Sequence, residues 1–406
     1  MTMAKRRKLL ALVAVIAALA LAVTGCNGGG SEDADNGGSA GGDSVTVKIG
    51  VSSPFTGDVA ALGLGIKNGA TLAIEEANAD PELAELGVSI EGMFVDDAAD
   101  PKTGVQAARQ MVSDQSLVGV VAHLNSGVSI PASEIYNQAG IVQVSPASTN
   151  PALTQQGFAN VFRVCTIDTV QGSFAGDFAI DTLGAKTVAV IDDSTQYGAG
   201  LADEFAKQFE ARGGTVVARE KIQVKDQDFK ALVTKINGLG PDMIYFGGMY
   251  TEAALISKQA KEAGLKVPVM GGDGLYTQQF VDIAGAANAE GDFATSVGLP
   301  LSLQPKGQEF SSAFEGMFPD QAIEAYDTYA YDATMVIVEA IKKVAADLGA
   351  EALTTAAGKE AIVAAVAETS YAGVTGEVAF DENGDTTNKA ITAYTVKGGA
   401  WVPFEE

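Results

Sequence analysis

The sequence predicts an α/β fold of two doubly wound lobes, each a parallel sheet covered by helices. Strand-like runs alternate with helical runs of 10–15 residues from Val45 onward, which is the rhythm of βαβ units. The rhythm comes in two series of similar length, the second starting at Thr187. The chain has 406 residues, 47% of them hydrophobic, and that is more than one core usually covers.

The elements follow in order. Lys5, Arg6, Arg7 and Lys8 precede an uncharged apolar run over 9–23, and the small residues Thr24 and Gly25 then lead into Cys26. This is a charged region, an apolar core and a small-residue cleavage site, and the run is short of the roughly 20 residues that a spanning helix needs. Residues 1–25 therefore read as a signal segment. Val23, Thr24, Gly25 and Cys26 resemble a bacterial lipobox, and the resemblance implies a mature chain that starts at an acylated Cys26 on the outer face of a bacterial membrane. Residues 26–44 are rich in Gly, Ser, Asn and acids and read as a flexible tether with a reach of about 25 Å.

Val45, Thr46, Val47, Ile49 and Val51 make a β-branched strand, and Ile66, Ala70, Ala73, Ile74 and Ala77 then recur at helical spacing. The first series continues as strand 88–95, helix 103–112, strand 117–122, helix 128–138 and strand 141–144, with a strand-like run at 161–165. The second runs as strand 187–191, helix 200–211, strand 215–219, helix 229–237, strand 243–246, helix 251–263 and strand 267–270. Beyond Pro300 helices dominate (308–318, 329–347, 360–368), followed by strand-like runs at 374–380 and 391–396.

Composition narrows the function. Loss of the four positive charges in residues 1–25 takes the formal charge from −25 to −29, and an acidic chain of this kind does not suit nucleic acid or polybasic docking to lipid. There are two cysteines and one histidine. With Cys26 committed to lipid, Cys165 has no partner within the chain and reads as a buried thiol. A Ser-His-Asp triad has only His123 to draw on, and a histidine-based zinc site lacks ligands. His123 reads as a satisfied buried histidine.

In open α/β sheets, ligands sit beyond the carboxyl ends of the strands. Those segments include Ser52-Ser53-Pro54, His123-Leu124-Asn125-Ser126, Ser145-Pro146-Ala147-Ser148-Thr149-Asn150, Asp192–Gly198, Gly247-Gly248-Met249-Tyr250 and Gly271-Gly272-Asp273-Gly274. They carry hydroxyls, glycines and single acids, an inventory that holds a small polar ligand by hydrogen bonds without metal or cofactor. Gly63-Leu64-Gly65 lacks dinucleotide spacing and reads as a helix-entry turn. Asp96-Asp97 and Asp192-Asp193 read as strand-end caps, and 381–385 as a turn. Ser126 and Thr149, both ahead of helical runs, also read as N-caps, Asp273 as a turn residue, and Tyr197 as packing under its loop.

Asp96-Asp97-Ala98-Ala99-Asp100-Pro101, Ala122-His123-Leu124-Asn125-Ser126-Gly127, Ser145–Thr154, Gln196-Tyr197-Gly198, Tyr245-Phe246-Gly247-Gly248 and Met270–Gly274 together resemble the branched-chain amino acid binding proteins of ABC importers. The likeness covers the chain after the tether. It implies a type I periplasmic-binding fold: two Rossmann-like lobes (45–167 with 296–374, and 168–295 with 375–406), three crossovers, and a ligand cleft between the lobes. It also implies that Ser126 and Thr149, in the loop with Ser148, take an amino acid's carboxylate. The Ala147 carbonyl and Asp273 would take its ammonium, Tyr197 would line the pocket, and Leu62, Met249 and Tyr250 would form the wall. Ala99 and Asn125 stand where the family has a disulfide, and Leu62 and Met249 where it has tyrosines. The implied protein is a monomeric, non-enzymatic, extracytoplasmic binder of a free amino acid, anchored by lipid and partnered by an ABC permease. The alternative is a ligand-sensing surface receptor component on the same fold.

Overall fold

Strands whose residues are apolar on both faces must be covered on both sides, and that requirement organises this molecule. The computed structural model describes residues 44–405; the expected signal segment, Cys26 and the tether to residue 43 lie outside the described residues. Among the described residues, β1 (Val45–Ser53), β2 (Val88–Asp96), β3 (Leu117–Ala122), β4 (Val142–Ser145) and β5 (Val161–Arg163) form a parallel sheet in the order β2-β1-β3-β4-β5. A second sheet contains β6 (Thr187–Asp192), β7 (Thr215–Lys221), β8 (Met243–Gly247), β9 (Val269–Gly271) and β10 (Phe293–Val297). After a two-stranded ribbon of β11 (Ser370–Ala372) and β12 (Glu377–Ala379), β13 (Ile391–Lys397) and β14 (Ala400–Pro403) complete it antiparallel, in the order β14-β13-β10-β9-β8-β6-β7. Every residue of β3 and β8 is buried.

The chain passes between the sheets three times: from β5 to β6, from β10 to the helix Asp327–Leu348, and from β12 to β13. The helix Asp327–Leu348 packs along the helix Ala60–Ala79 and touches β3 and β4, so residues late in the sequence cover the first sheet. Helix starts follow local chemistry. Asp100 accepts from the Thr103 N–H at 2.8 Å ahead of the helix Pro101–Val112, and Thr195 Oγ1 accepts from the Gly198 N–H at 2.9 Å ahead of Gln196–Ala211.

Two expectations need correction. The strand expected over 374–380 shrinks to Glu377–Ala379, because the Val374 and Thr375 N–H groups donate to the Asp332 carboxylate at 2.8 and 2.9 Å and not to a neighbouring strand. The helical run expected after Thr149 is one 3-10 turn, Pro151–Leu153, capped by Asn150 and followed by Gly157 at φ +79°. The helix Asp168–Asp181 and strand β10 have no counterpart in the sequence reading. The helix shows no apolar stripe. Its Gly172 and Gly176 instead admit the helix Gln196–Ala211 so closely that added Cβ atoms would lie 2.6 Å from the Glu204 Cβ and 2.8 Å from the Gln208 Cβ.

Gly69 marks the tightest approach of the helices Ala60–Ala79 and Asp327–Leu348, for a Cβ there would lie 2.0 Å from the Asp327 carbonyl oxygen. Alanine would gain up to about 1 kcal/mol of helix propensity, but backbone cannot yield as a side chain does, and overpacking costs about 1–3 kcal/mol. Gly69→Ala is expected to lower the urea midpoint by the equivalent of about 1–2 kcal/mol. A variant as stable as the parent would show that the two helices are not in fixed contact.

Candidate ligand-binding site

Ser126 opens the helix Ser126–Gln138 and is buried, with its hydroxyl accepting from the Asn150 N–H at 3.2 Å. The following loop from β4 is braced from behind. The Ser145 hydroxyl accepts from the Ser148 N–H at 3.0 Å, and the Ser148 hydroxyl donates to the His123 carbonyl at 3.0 Å and lies 2.6 Å from the Ser129 hydroxyl. The Ser148 side chain therefore faces the protein interior and is not brought to the site. Thr149 is fully buried and its hydroxyl has no hydrogen-bond partner. Ala147 is buried beside it.

His123 supports this floor. Its Nδ1 lies 2.7 Å from Asp97 Oδ2 and its Nε2 3.1 Å from the Tyr136 hydroxyl, with all three residues fully buried. The histidine is thus satisfied, and it ties the end of β3 to the end of β2. Burial pushes the Cys165 thiol well above its ordinary range, so it stays an inert packing group.

From the second sheet, Asp273 follows β9 and is buried. Its Oδ1 accepts from the Tyr197 hydroxyl at 2.7 Å and its Oδ2 from the Tyr326 hydroxyl. The Tyr197 oxygen in turn accepts from the Gly274 N–H at 3.1 Å, so Tyr197 holds the acid and is not mere packing. Burial raises the Asp273 pKa against the pull of Tyr326, Tyr197 and Gln171. Met249 caps the helix Tyr250–Glu262, and Tyr250 begins it, both buried. The Tyr250 phenol reaches the backbone of Ala61, next to the buried Leu62 in the first turn of Ala60–Ala79. Tyr250 thus approaches the turn of chain that carries Leu62.

The structure adds residues the sequence did not single out. Asp168 opens the helix Asp168–Asp181, is fully buried, and its N–H donates to the Thr149 carbonyl at 2.9 Å. Neither carboxyl oxygen makes a well-aligned hydrogen bond, and burial pushes its pKa up to about 8, opposed by the nearby Thr149 hydroxyl and by Arg163 and aided by Asp273. Gln171 Oε1 and the Tyr245 hydroxyl are buried and unpartnered as well. Buried polar atoms are nearly always satisfied in folded proteins, so a group of them calls for a polar guest. The lobes meet around it: Asn150 Nδ2 donates to the Gln196 carbonyl at 2.8 Å, and the Thr251 hydroxyl to the Asp58 carbonyl at 3.0 Å. A separate cavity of about 360 Å³ lies at the outer edge of the seam near Asp58 and Glu252 and shares no lining residue with this group. No metal-ligating group of three His, Cys, Asp or Glu occurs among the described residues.

The family described as periplasmic binding protein matches residues 46–400. A leucine-, isoleucine-, valine-, threonine- and alanine-binding protein of Pseudomonas aeruginosa is 35% identical over 351 residues, covering 86% of this chain and 89% of that protein. A Leu/Ile/Val-binding protein homolog of Brucella abortus is 34% identical over 357 residues, covering 87% of this chain and 91% of the relative. Among solved structures, a leucine binding protein from Thermotoga maritima superposes with a TM-score of 0.79 at 30% identity, covering 88% of this chain and 98% of that one. A branched-chain amino acid transporter substrate-binding protein from Streptococcus pneumoniae, in complex with isoleucine, gives 0.77 at 28% identity, covering 89% and 100%.

Asp168 makes stability depend on pH in a stated direction. Its folded pKa of about 8 lies above the ordinary 3.8, so between those values the folded state holds the extra proton and stability falls as pH rises. Asp193, Asp292 and Asp332 are pushed up only to about 6, so they contribute mainly at lower pH. Between pH 6 and 8 the parent should lose stability more steeply than Asp168→Asn, by at most about 1.4 kcal/mol per pH unit. Parallel urea-midpoint curves for the two proteins would refute the assignment.

Proposed function

We propose that this chain, which belongs to the periplasmic binding protein family, captures a free amino acid outside the cytoplasm and delivers it to an ABC importer in the membrane. The observation that carries the reading is the buried, unpartnered set of Thr149, Asp168, Gln171 and Tyr245 beside Asp273. An amino acid supplies both of the groups this set lacks. Its carboxylate suits Ser126, at the start of the helix Ser126–Gln138 where free backbone N–H groups and the helix dipole favour an anion, together with Thr149 in the loop after β4. Its ammonium suits the two carboxyls, which burial disfavours as anions until a cation pairs with them. Leu62, Met249 and Tyr250 give its side chain a largely apolar wall. Ligand that touches both lobes favours the closed form, which the permease then recognises. On this reading binding and release involve no bond making, and the chain works as a monomeric carrier and not as an enzyme. Leucine, isoleucine and valine, which recur in the names of the relatives, set the first compounds to test.

Melting of the EDTA-treated protein should rise with at least one of L-leucine, L-isoleucine or L-valine, by the equivalent of about 2.7 kcal/mol at 100 times the dissociation constant. Asp273→Ala should weaken that binding by about two to three orders of magnitude, since it leaves a buried cation short of a counter-charge. If none of the common amino acids shifts the parent, the reading fails.

The same reading has Cys26 acylated after loss of residues 1–25, so that the folded body stands off the membrane on its tether. Cys26→Ser is expected to accumulate unprocessed or to escape into the medium when cell fractions are blotted. Normal processing and membrane retention would remove the anchor from the proposal.

A further inference from the structure

Arg163 ends β5 and is fully buried, an arrangement that requires a complete set of partners for its charge. Its Nε donates to Asp385 Oδ1 at 2.6 Å, its Nη2 to the Thr154 hydroxyl at 2.6 Å, and its Nη1 to the carbonyls of Ser148 at 2.8 Å and Asn150 at 2.9 Å. The Thr154 hydroxyl closes the ring by donating to Asp385 Oδ1 at 2.9 Å. The two carbonyls held by Nη1 flank Thr149, whose hydroxyl is among the unpartnered groups of the site. Asp385 lies between β12 and β13, on the third passage between the lobes, and Arg163 immediately precedes the first.

The turn that presents Asp385 is built for close approach. The Asp381 N–H donates to the Asp385 carbonyl at 2.8 Å, and the Asp385 N–H to Asp381 Oδ1 at 3.0 Å. The Arg163 N–H donates to the Gly384 carbonyl at 3.0 Å. Gly384 has φ +86°, and a Cβ there would stand 2.3 Å from the Val161 carbonyl oxygen, so only glycine lets the turn lie against β5.

We propose that Arg163 is a positioning residue for ligand binding: with Asp385 it locks the Thr149 loop to two of the three interlobe passages, so that the carboxylate seat and the hinge keep one geometry. A planar guanidinium reaches all four acceptors at once, which a lysine ammonium on a flexible stem does not. The proposal rests on the amino-acid reading of the site, and its test separates the two.

Amide hydrogen exchange of the full-length protein should quicken at least tenfold at Ser148 and Asn150 in Arg163→Lys. It should quicken likewise in Asp385→Asn, a near-isosteric change that touches neither amide, while amides of β6 and β8 keep parental rates. Calorimetric titration with L-leucine should show at least tenfold weaker binding in both variants. Adding Thr149→Val to Asp385→Asn should cost less than the product of the two separate losses, because both changes act through the same seat. Parental exchange at Ser148 and Asn150 in Asp385→Asn, or fully multiplicative losses, would overturn the proposal. Faster exchange in a protein whose parent binds no L-leucine would uphold the clamp and count against the ligand class alone.

Discussion

A charge taken out of water needs a partner, and the seam between the lobes is organised by that requirement. Asp168 and Asp273 both stand there, buried, from elements that follow β5 and β9. Asp273 is half provided for by Tyr197 and Tyr326, whereas Asp168 has no well-aligned hydrogen bond to either oxygen and only the Thr149 hydroxyl nearby. A cation between them relieves both burial and mutual repulsion, and an anion seated at Ser126 and Thr149 balances that cation. On the proposed reading, the zwitterionic end of an amino acid supplies both charges before any side-chain pocket is considered.

The supporting structure answers to the same constraint one layer out. Parallel sheets bring their strand ends to one edge, which concentrates exposed backbone groups where the lobes meet. Loops at that edge need fixing without filling the seam. They are fixed from behind, by Ser145 and Ser148 against the His123 carbonyl, by His123 between Asp97 and Tyr136, and by Arg163 under the Ser148 and Asn150 carbonyls. The polar groups that face the seam are thereby held in place by polar groups that do not.

Much of this was legible in the residues. β-branched runs located the parallel strands, the rule that ligands lie beyond strand ends drew out the segments that hold Ser126, Thr149, Tyr197 and Asp273, and the family resemblance singled out those residues within them. The same rule missed Asp168, since the helix it opens carries glycines at 172 and 176 for close packing and shows no apolar period. Tyr326 escaped because it begins no loop after a strand; only the packing of Asp327–Leu348 brings it to Asp273. The inward turn of the Ser148 hydroxyl depends on the carbonyls of His123 and Leu124, which no spacing in the sequence announces. Asp385 is indeed in a turn, but its role depends on Arg163, 222 residues away.

Two of the hydrogen bonds across the seam, those of Asn150 and Thr251, share a property with consequences for how such a protein diversifies. In each, the acceptor is a main-chain carbonyl, at Gln196 and at Asp58, and only the donor, Asn150 or Thr251, is a side chain. Side-chain replacement at Asp58 or Gln196 leaves the acceptor in place, so descendants are free to vary the charge and shape of those rim positions without losing the fastening. The donors have no such freedom. The fastening is therefore lopsided: one partner of each bond tolerates exchange of its side chain, and the other is tied to the side chain it has.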